Sequence, residues 1–274
     1  MFDHDPADQR LQRARGRAEA AFSLREGKAR LSHLHQSGSA KAMLPRGPDD
    51  PEVVFLNTAG GLTGGDRMRY RLDLASGTRV TATTQTAERV YAAASGVAEV
   101  TCEMTACAGA ALDWLPQETI LYDRAALARE TRIDLASDAR LLFCETLVFG
   151  RAAMGEKVGT LALLDRREIR RDGRPVMVDT VRMDGQSLAM AGDPAMLGDA
   201  RAVALVALVA PGAEDALDPI RRLLGQEGVV AFASAWDGRC VVRMMARDAW
   251  PLRRLMVALL TQIRGTVPPR VWQI

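Results

Sequence analysis

Three stretches of this 274-residue chain follow one plan, and that repetition limits its fold more than any other feature. YRLDLASGTRVTATTQ (Tyr70 to Gln85), VTCEMTACAGAALDWLPQ (Val100 to Gln117) and ETRIDLASDARLLFCE (Glu130 to Glu145) each place an alternating strand before a small-residue turn and a second apolar strand after it. The turns, Ser76-Gly77, Ala108-Gly109 and Ser137-Asp138, recur at a period of about 30 residues. Alternation with period two is the mark of a strand buried on one face. A unit of this size cannot bury its apolar face alone, so the pattern predicts stacked hairpin-like units. Each second strand ends on a polar side chain, Gln85, Gln117 or Glu145, and stacking places the three at neighbouring positions along one side.

Beyond residue 151 the strand pattern continues and turns at Asp172-Gly173, a hairpin dipeptide. The last quarter differs. An apolar strand, Ala202 to Ala210, precedes the helix-like run AEDALDPIRRLLGQE, which Gly225 and Gly228 stop. Two strands then turn at Asp237-Gly238, and a final helix begins with Asp248 as its cap and Pro251 in its first turn. Leu252, Leu255, Met256, Leu259, Leu260 and Ile263 form one apolar stripe along that helix, which Gly265 ends. The expected fold is mainly β: a stacked-sheet, β-helical (solenoid-like) body over residues 21–200, and a β-α-β-β-α portion over 201–274 on the same core with two helices. Residues 1–20, with Arg10, Arg13, Arg15 and Arg17, are expected to form a flexible basic arm.

Charge and composition exclude several function classes. Lys+Arg 36 against Asp+Glu 34 leaves a net charge of +2, so nothing in the overall balance draws the chain to nucleic acid or an anionic membrane. The first ten residues hold no apolar signal core, and the nine-residue run Ala202–Ala210 falls short of the roughly 20 residues that span a bilayer as a helix. Cys102, Cys107, Cys144 and Cys240 show no CxxC spacing and are read as reduced packing residues of a cytoplasmic protein.

LNTAGGLTGGDRM (Leu56 to Met68) is the one glycine-rich loop. Gly60 and Gly65 have the spacing of a phosphate loop, but Asp66 and Arg67 stand where lysine and a hydroxyl are needed, and no helix pattern follows. Glycine here points to a close crossover between sheets. His33 and His35 share a strand face, yet no further ligand is placed beside them. No GxSxG or HExxH is present. A polysaccharide enzyme on a β-solenoid needs paired carboxylates and an aromatic platform, for which an aromatic content of 5% is thin. What remains is a set of polar groups in apolar surroundings: Asp66, Gln85, Glu118, Asp123, Glu145 and Glu156. Glu145 stands between LLFC and TLVFG, where a buried carboxylate needs a partner or a cation, and Arg151 is the expected partner.

SHLHQSGSAKAMLPR, LNTAGGLTGGDRM, TTQTAERVY, LPQETILYDRA, ETLVFGRAAMGE and the ending RLMVALL…PPRVW, in this order, resemble the urease accessory protein family UreD, called UreH in some organisms. The resemblance covers nearly the whole chain; Thr63, and Gln117 where a glutamate often follows the proline, are departures. It implies a non-enzymatic scaffold of stacked sheets that binds urease apoprotein and UreF, and through UreF the GTPase UreG. It further implies delivery of Ni²⁺ through an internal polar channel, with no tightly bound cofactor and no nucleic-acid or membrane partner. Matched by motif, Asp66, Glu145 and Glu156 are the candidate transient nickel ligands, and Thr84, Gln85 and Arg151 are candidates for lining the channel or serving as structural polar groups. Oxygen ligands suit transfer because they hold nickel weakly. A carbohydrate-active β-solenoid enzyme and a pure structural adaptor are the alternatives.

Overall fold

The computed structural model describes residues 13–46, 50–193 and 195–273. The chain opens with β1 (Arg15–Arg25) and β2 (Lys28–Gly38), an antiparallel pair, followed by β3 (Ala40–Met43) and β4 (Glu52–Asn57). Three coils follow: β5 (Arg67–Leu74), β6 (Arg79–Thr84) and β7 (Glu88–Val90); β8 (Ala98–Ala106), β9 (Ala111–Leu115) and β10 (Thr119–Leu121); β11 (Ala125–Leu135) and β12 (Arg140–Phe149). A hairpin of β13 (Leu161–Arg171) and β14 (Arg174–Met183) leads to a short α1 (Gly185–Ala189). The last portion is β15 (Ala202–Val209), α2 (Leu217–Arg221), β16 (Val229–Trp236), β17 (Arg239–Ala246) and α3 (Ala249–Arg264).

The repeat units are coils rather than hairpins. Within a unit the two strands belong to different sheets, and each strand pairs in parallel with its counterpart in the next unit. The sheet orders are β14-β13-β11-β8-β5-β1-β2 and β16-β17-β15-β12-β9-β6-β4-β3. The predicted turns are the corners between sheets, and they stack: Gly77 N–H donates to Ala108 O at 2.9 Å, and Gly109 N–H to the Asp138 carboxylate at 2.8 Å. Asp172-Gly173 and Asp237-Gly238 make the expected hairpins, with φ of 48° and 75°, and of 44° and 73°.

One apolar core lies between the sheets, with Phe22, Phe55, Leu72, Met104, Ile133 and Phe143 among its buried members. The outer face of the first sheet is polar, and its cross-strand neighbours alternate in charge, so that even Glu19 and Glu168, which are buried, lie beside arginines. The register aligns Glu19, Arg71, Glu103, Arg132 and Glu168 across five adjacent strands. The second sheet is buried on both faces. A second cluster packs Leu142, Cys144, Val206 and Val242 under Leu252, Leu255, Met256, Leu259 and Leu260 of α3. The C-terminal strands therefore extend the second sheet and share the first core, and the helix adds a separate one.

Three expectations are corrected. The basic arm does not reach residue 20, because Arg15 and Arg17 open β1, where Ala18, Ala20 and Phe22 are buried in alternation; Arg10 and His4 lie outside the described residues. The run AEDALDPIRRLLGQE forms a 3-10 turn (Ala213–Ala216) and only five α-helical residues, since Pro219 has no N–H to return to Asp215. Cys107 is exposed at a coil corner, whereas burial pushes the Cys102 thiol up to about 12 and holds Cys144 and Cys240 above the ordinary thiol range.

Candidate functional site

The alternation that buries one face of each strand is interrupted at the same level in four strands. On β12 the inward residues are Leu141, Phe143, Glu145, Leu147 and Phe149. On β11 Arg129 and Thr131 stand between Leu127 and Ile133, and on β13 Asp165 and Arg167 stand between Leu163 and Ile169. Asp179 takes the same phase on β14. The register sets Arg129 beside Asp165, Thr131 beside Arg167, and Arg167 opposite Asp179. Glu145 meets this row from the other sheet.

The result is a buried ion cluster. Arg129 donates to Asp165 through Nε at 2.8 Å and Nη2 at 2.6 Å, to Glu145 Oε2 through Nη2 at 3.0 Å, and to Thr119 through Nη1 at 3.0 Å. Arg167 donates through Nε to Glu145 Oε2, through Nη2 to Asp165, and through Nη1 to Asp179 at 2.6 Å. Arg243 of β17 donates to the other Asp179 oxygen at 2.5 Å and is 62% exposed. Burial pulls against the charged form of Asp165, but the guanidiniums of Arg129 and Arg167 outweigh it and hold the carboxyl below its usual range. Burial likewise opposes the charge on Arg129, and Asp165 and Glu145 overcome it, keeping the guanidinium firmly charged. Clusters of this kind cost desolvation and give little net stability compared with apolar packing, so stability alone does not account for one.

Two cavities flank the cluster. The first, about 120 Å³, is bordered by Asn57, Thr84, Gln85, Glu88, Gln117, Thr119, Arg129 and Glu145. The second, about 300 Å³, runs past Arg167, Asp179 and Arg243 to an apolar mouth at Met183, Met196, Val230 and Phe232. Each has room for several waters, at roughly 10–15 Å³ apiece. Among the described residues, Glu145 alone borders both cavities. Its Oε2 carries both guanidiniums, while its Oε1 meets Thr131 Oγ1 at 3.5 Å, the limit of a hydrogen bond, and so keeps acceptor capacity. Glu88 is a second carboxylate on the first cavity. Burial pushes its pKa up to about 7, with Asn57 Nδ2 at 3.4 Å only partly offsetting it.

The structure brings Thr84, Gln85 and Glu145 to one cavity and leaves the other expected residues apart from it. Gln85, Gln117 and Glu145 all border the first cavity, but Gln117 also reaches the outer side of its sheet, where Nε2 donates to Val271 O at 2.7 Å. Phe143 pairs with Trp114, so Glu145 falls level with Pro116 rather than Gln117, and one residue of offset reverses the face. Arg151 is not the partner of Glu145. It pairs with Glu156 at 2.8 Å, which holds that carboxyl below its usual range, and it lies 4.4 Å over the Tyr122 ring at the coil corners. Asp66 is buried and accepts the backbone N–H groups of Ala14 at 2.7 Å and Thr63 at 2.8 Å. It holds its own turn and the approach to β1. The crossover does need glycine. A Cβ on Gly61 would lie 2.3 Å from the Tyr91 ring, and one on Gly64 would lie 2.2 Å from Ser95 O.

Glu118 pairs with Arg253 at 2.5 Å, and Asp123 accepts the N–H groups of Gly159 and Thr160, so both serve the scaffold. Sequence reasoning missed Arg129, Asp165, Arg167, Asp179 and Glu88. For the first four the signal was a charge standing in the apolar phase of a strand. His33 and His35 are exposed side by side on β2. Among the described residues no group of three or more His, Cys, Asp or Glu is arranged to hold a metal, and no helix is long and apolar enough to cross a membrane.

The model of a family described as UreD urease accessory protein matches residues 14–273. A urease accessory protein UreD of Cereibacter sphaeroides is 54% identical over 265 residues, covering 96% of each chain. That of Paracoccus denitrificans is 50% identical over 275 residues, covering 100% of this chain and 97% of its own, and that of Rhizobium leguminosarum is 44% identical, covering 98% of both.

Proposed function

The chain belongs to the UreD family of urease accessory proteins, and from that premise we propose that it is a non-enzymatic maturation scaffold that passes Ni²⁺ through its interior to the urease apoprotein. Its partners in this reading are the apoprotein and a UreF-type protein, with a UreG-type GTPase joined through UreF, in the cytoplasm. The nickel is cargo and not a resident cofactor.

The observation that carries the reading is Glu145, which borders both cavities and keeps one carboxylate oxygen nearly free. Oxygen donors with water beside them hold nickel loosely enough to release it, and a group that faces two chambers can hand an ion from one to the other. Glu88 and Gln85 supply further oxygens on the first chamber, and Asp179 on the second. Asp66 and Glu156 border neither cavity, and their hydrogen bonds give them structural work, so the support for them as nickel ligands is weaker than for Glu145.

The test is Glu145→Gln, which keeps the shape and removes the charge. It is co-expressed with urease apoprotein and the other accessory proteins in nickel-supplied cells. The expected outcome is an intact partner complex and a urease whose nickel content falls several-fold. If urease loads normally, the chain is a structural adaptor and the interior carries no metal.

A further inference from the structure

Two guanidiniums stand on the carboxylate that joins the two chambers, and each faces its own side. Arg129 borders the first cavity and Arg167 the second, and both donate to Glu145 Oε2. With Asp165, Asp179 and Arg243 the cluster holds three carboxylates and three guanidiniums and is neutral as it stands. A divalent cation arriving at Glu145 would meet two fixed positive charges in a region of low dielectric, and the repulsion at such distances is large. One guanidinium must therefore give way.

The two are not equally free to do so. Arg129 is held by both oxygens of Asp165 and by Thr119, and its only ion pairs among the described residues are with Asp165 and Glu145; Glu88 borders the same cavity but forms no ion pair with it. Arg167 has a third carboxylate on the side away from Glu145: its Nη1 already reaches Asp179 at 2.6 Å. It can release Glu145 and stay paired. Asp179 is shared with Arg243, whose exposed side chain holds its other oxygen and so competes for its single negative charge.

We infer that Arg167 is the gating residue of the passage: it leaves Glu145 for Asp179 to admit a divalent cation, and Arg243 controls how readily it does so by competing for Asp179. The inference rests on the nickel-path reading above. It makes the two halves of one ion pair act in opposite directions. Asp179→Asn keeps an acceptor oxygen but removes the negative charge that draws Arg167 away from Glu145, so the gate stays closed. Arg243→Gln frees Asp179, so the gate opens more readily. A pair that only supported the fold would give the same sign for both.

The experiment measures the initial rate of nickel incorporation into urease apoprotein by the complete accessory complex. It compares wild type, Asp179→Asn, Arg243→Gln and Glu145→Gln, with complex formation checked by co-purification and melting temperature. The expected result is a fall of about tenfold for Asp179→Asn, equal to about 1.4 kcal/mol on the barrier, and a rise for Arg243→Gln. If Asp179→Asn does not fold, Arg167→Lys replaces it. Lysine keeps the charge but lacks the planar fork whose Nε, Nη2 and Nη1 reach Glu145, Asp165 and Asp179, so its hold on Glu145 is weaker and this variant is expected to load at least as fast as wild type. The gate is overturned, with the path intact, if Glu145→Gln slows loading while Asp179→Asn and Arg243→Gln move together or not at all, or if Arg167→Lys is slow. If Glu145→Gln also loads at the wild-type rate, the path itself fails and the gate with it.

Discussion

At the scale of single residues, two carboxylates illustrate how environment divides the same chemistry into different roles. Asp66 has both oxygens occupied by backbone N–H groups, from Ala14 and Thr63. Asp66→Asn presents one N–H with an amide instead of an acceptor. The expected cost is about 1–3 kcal/mol in denaturant unfolding, the penalty of a buried unpaired donor. Nickel loading by the folded fraction should be unchanged. If the variant instead unfolds like wild type and loads poorly, Asp66 lies on the path after all. Glu88 behaves differently, because burial raises its pKa from an ordinary 4.5 to about 7. The folded state then binds a proton that the unfolded chain has already lost, so this group favours folding below pH 4.5, and that contribution is lost as pH rises to 7. Unfolding midpoints measured from pH 5 to 7.5 should therefore fall more steeply for wild type than for Glu88→Gln, whose side chain does not titrate. Equal slopes would show that the carboxyl is hydrated in the folded state.

At the scale of elements, the C-terminal segment acts as a strap across the second sheet. Trp272 Nε1 donates to Thr83 Oγ1 and Leu115 O, both at 3.1 Å, Gln117 holds Val271 O, and Arg253 joins Gln117 and Glu118 to Trp272 O. Trp272→Phe keeps the apolar ring and loses the N–H, at an expected cost of about 1 kcal/mol. Trp272→Ala also empties the site, and should cost about 3–5 kcal/mol. The gap between the two, read by chemical denaturation, separates packing from hydrogen bonding. The strands, corners and final helix of this molecule were legible in the sequence because each depends on neighbours a few residues away: alternation, a small-residue or Asp-Gly turn, an Asp cap. The stacking of units was legible too, through the 30-residue period. Which carboxylate meets which arginine was not. Glu145 finds Arg129 and Arg167 across 16 and 22 residues and between two sheets, and only the coil register decides that pairing. In a chain with this many exposed arginines, those two differ from the rest only in standing where an apolar residue belongs.

At the scale of the whole molecule, the question is whether the body over residues 21–200 and the portion over 201–274 can be separated. The sheet topology argues against it. β15 pairs along β12 from Leu141 to Val148, and β17 and β16 extend the same sheet beyond it. A chain ending at residue 200 would leave β12 as a long apolar edge, with unpaired backbone groups ready to join another chain. It would also bare the outer face of the second sheet, where Leu115, Leu142 and Cys144 lie fully buried under the C-terminal cluster. Leu205, Ala207, Val209 and Val241 would leave the core between the sheets, and the second cavity would lose Val203, Leu205, Val230, Phe232 and Arg243 from its wall. The first sheet would remain complete, with its alternating charges still facing water, so strand content should survive better than packing. The expected behaviour of residues 1–200 is therefore a far-ultraviolet spectrum rich in strand, strong binding of a hydrophobic dye, aggregation at micromolar concentration and no cooperative melt. A cooperative transition close to that of the full chain would show instead that the coils fold alone. The ion cluster would then be a property of the first sheet and β12, and the second cavity a later addition to it.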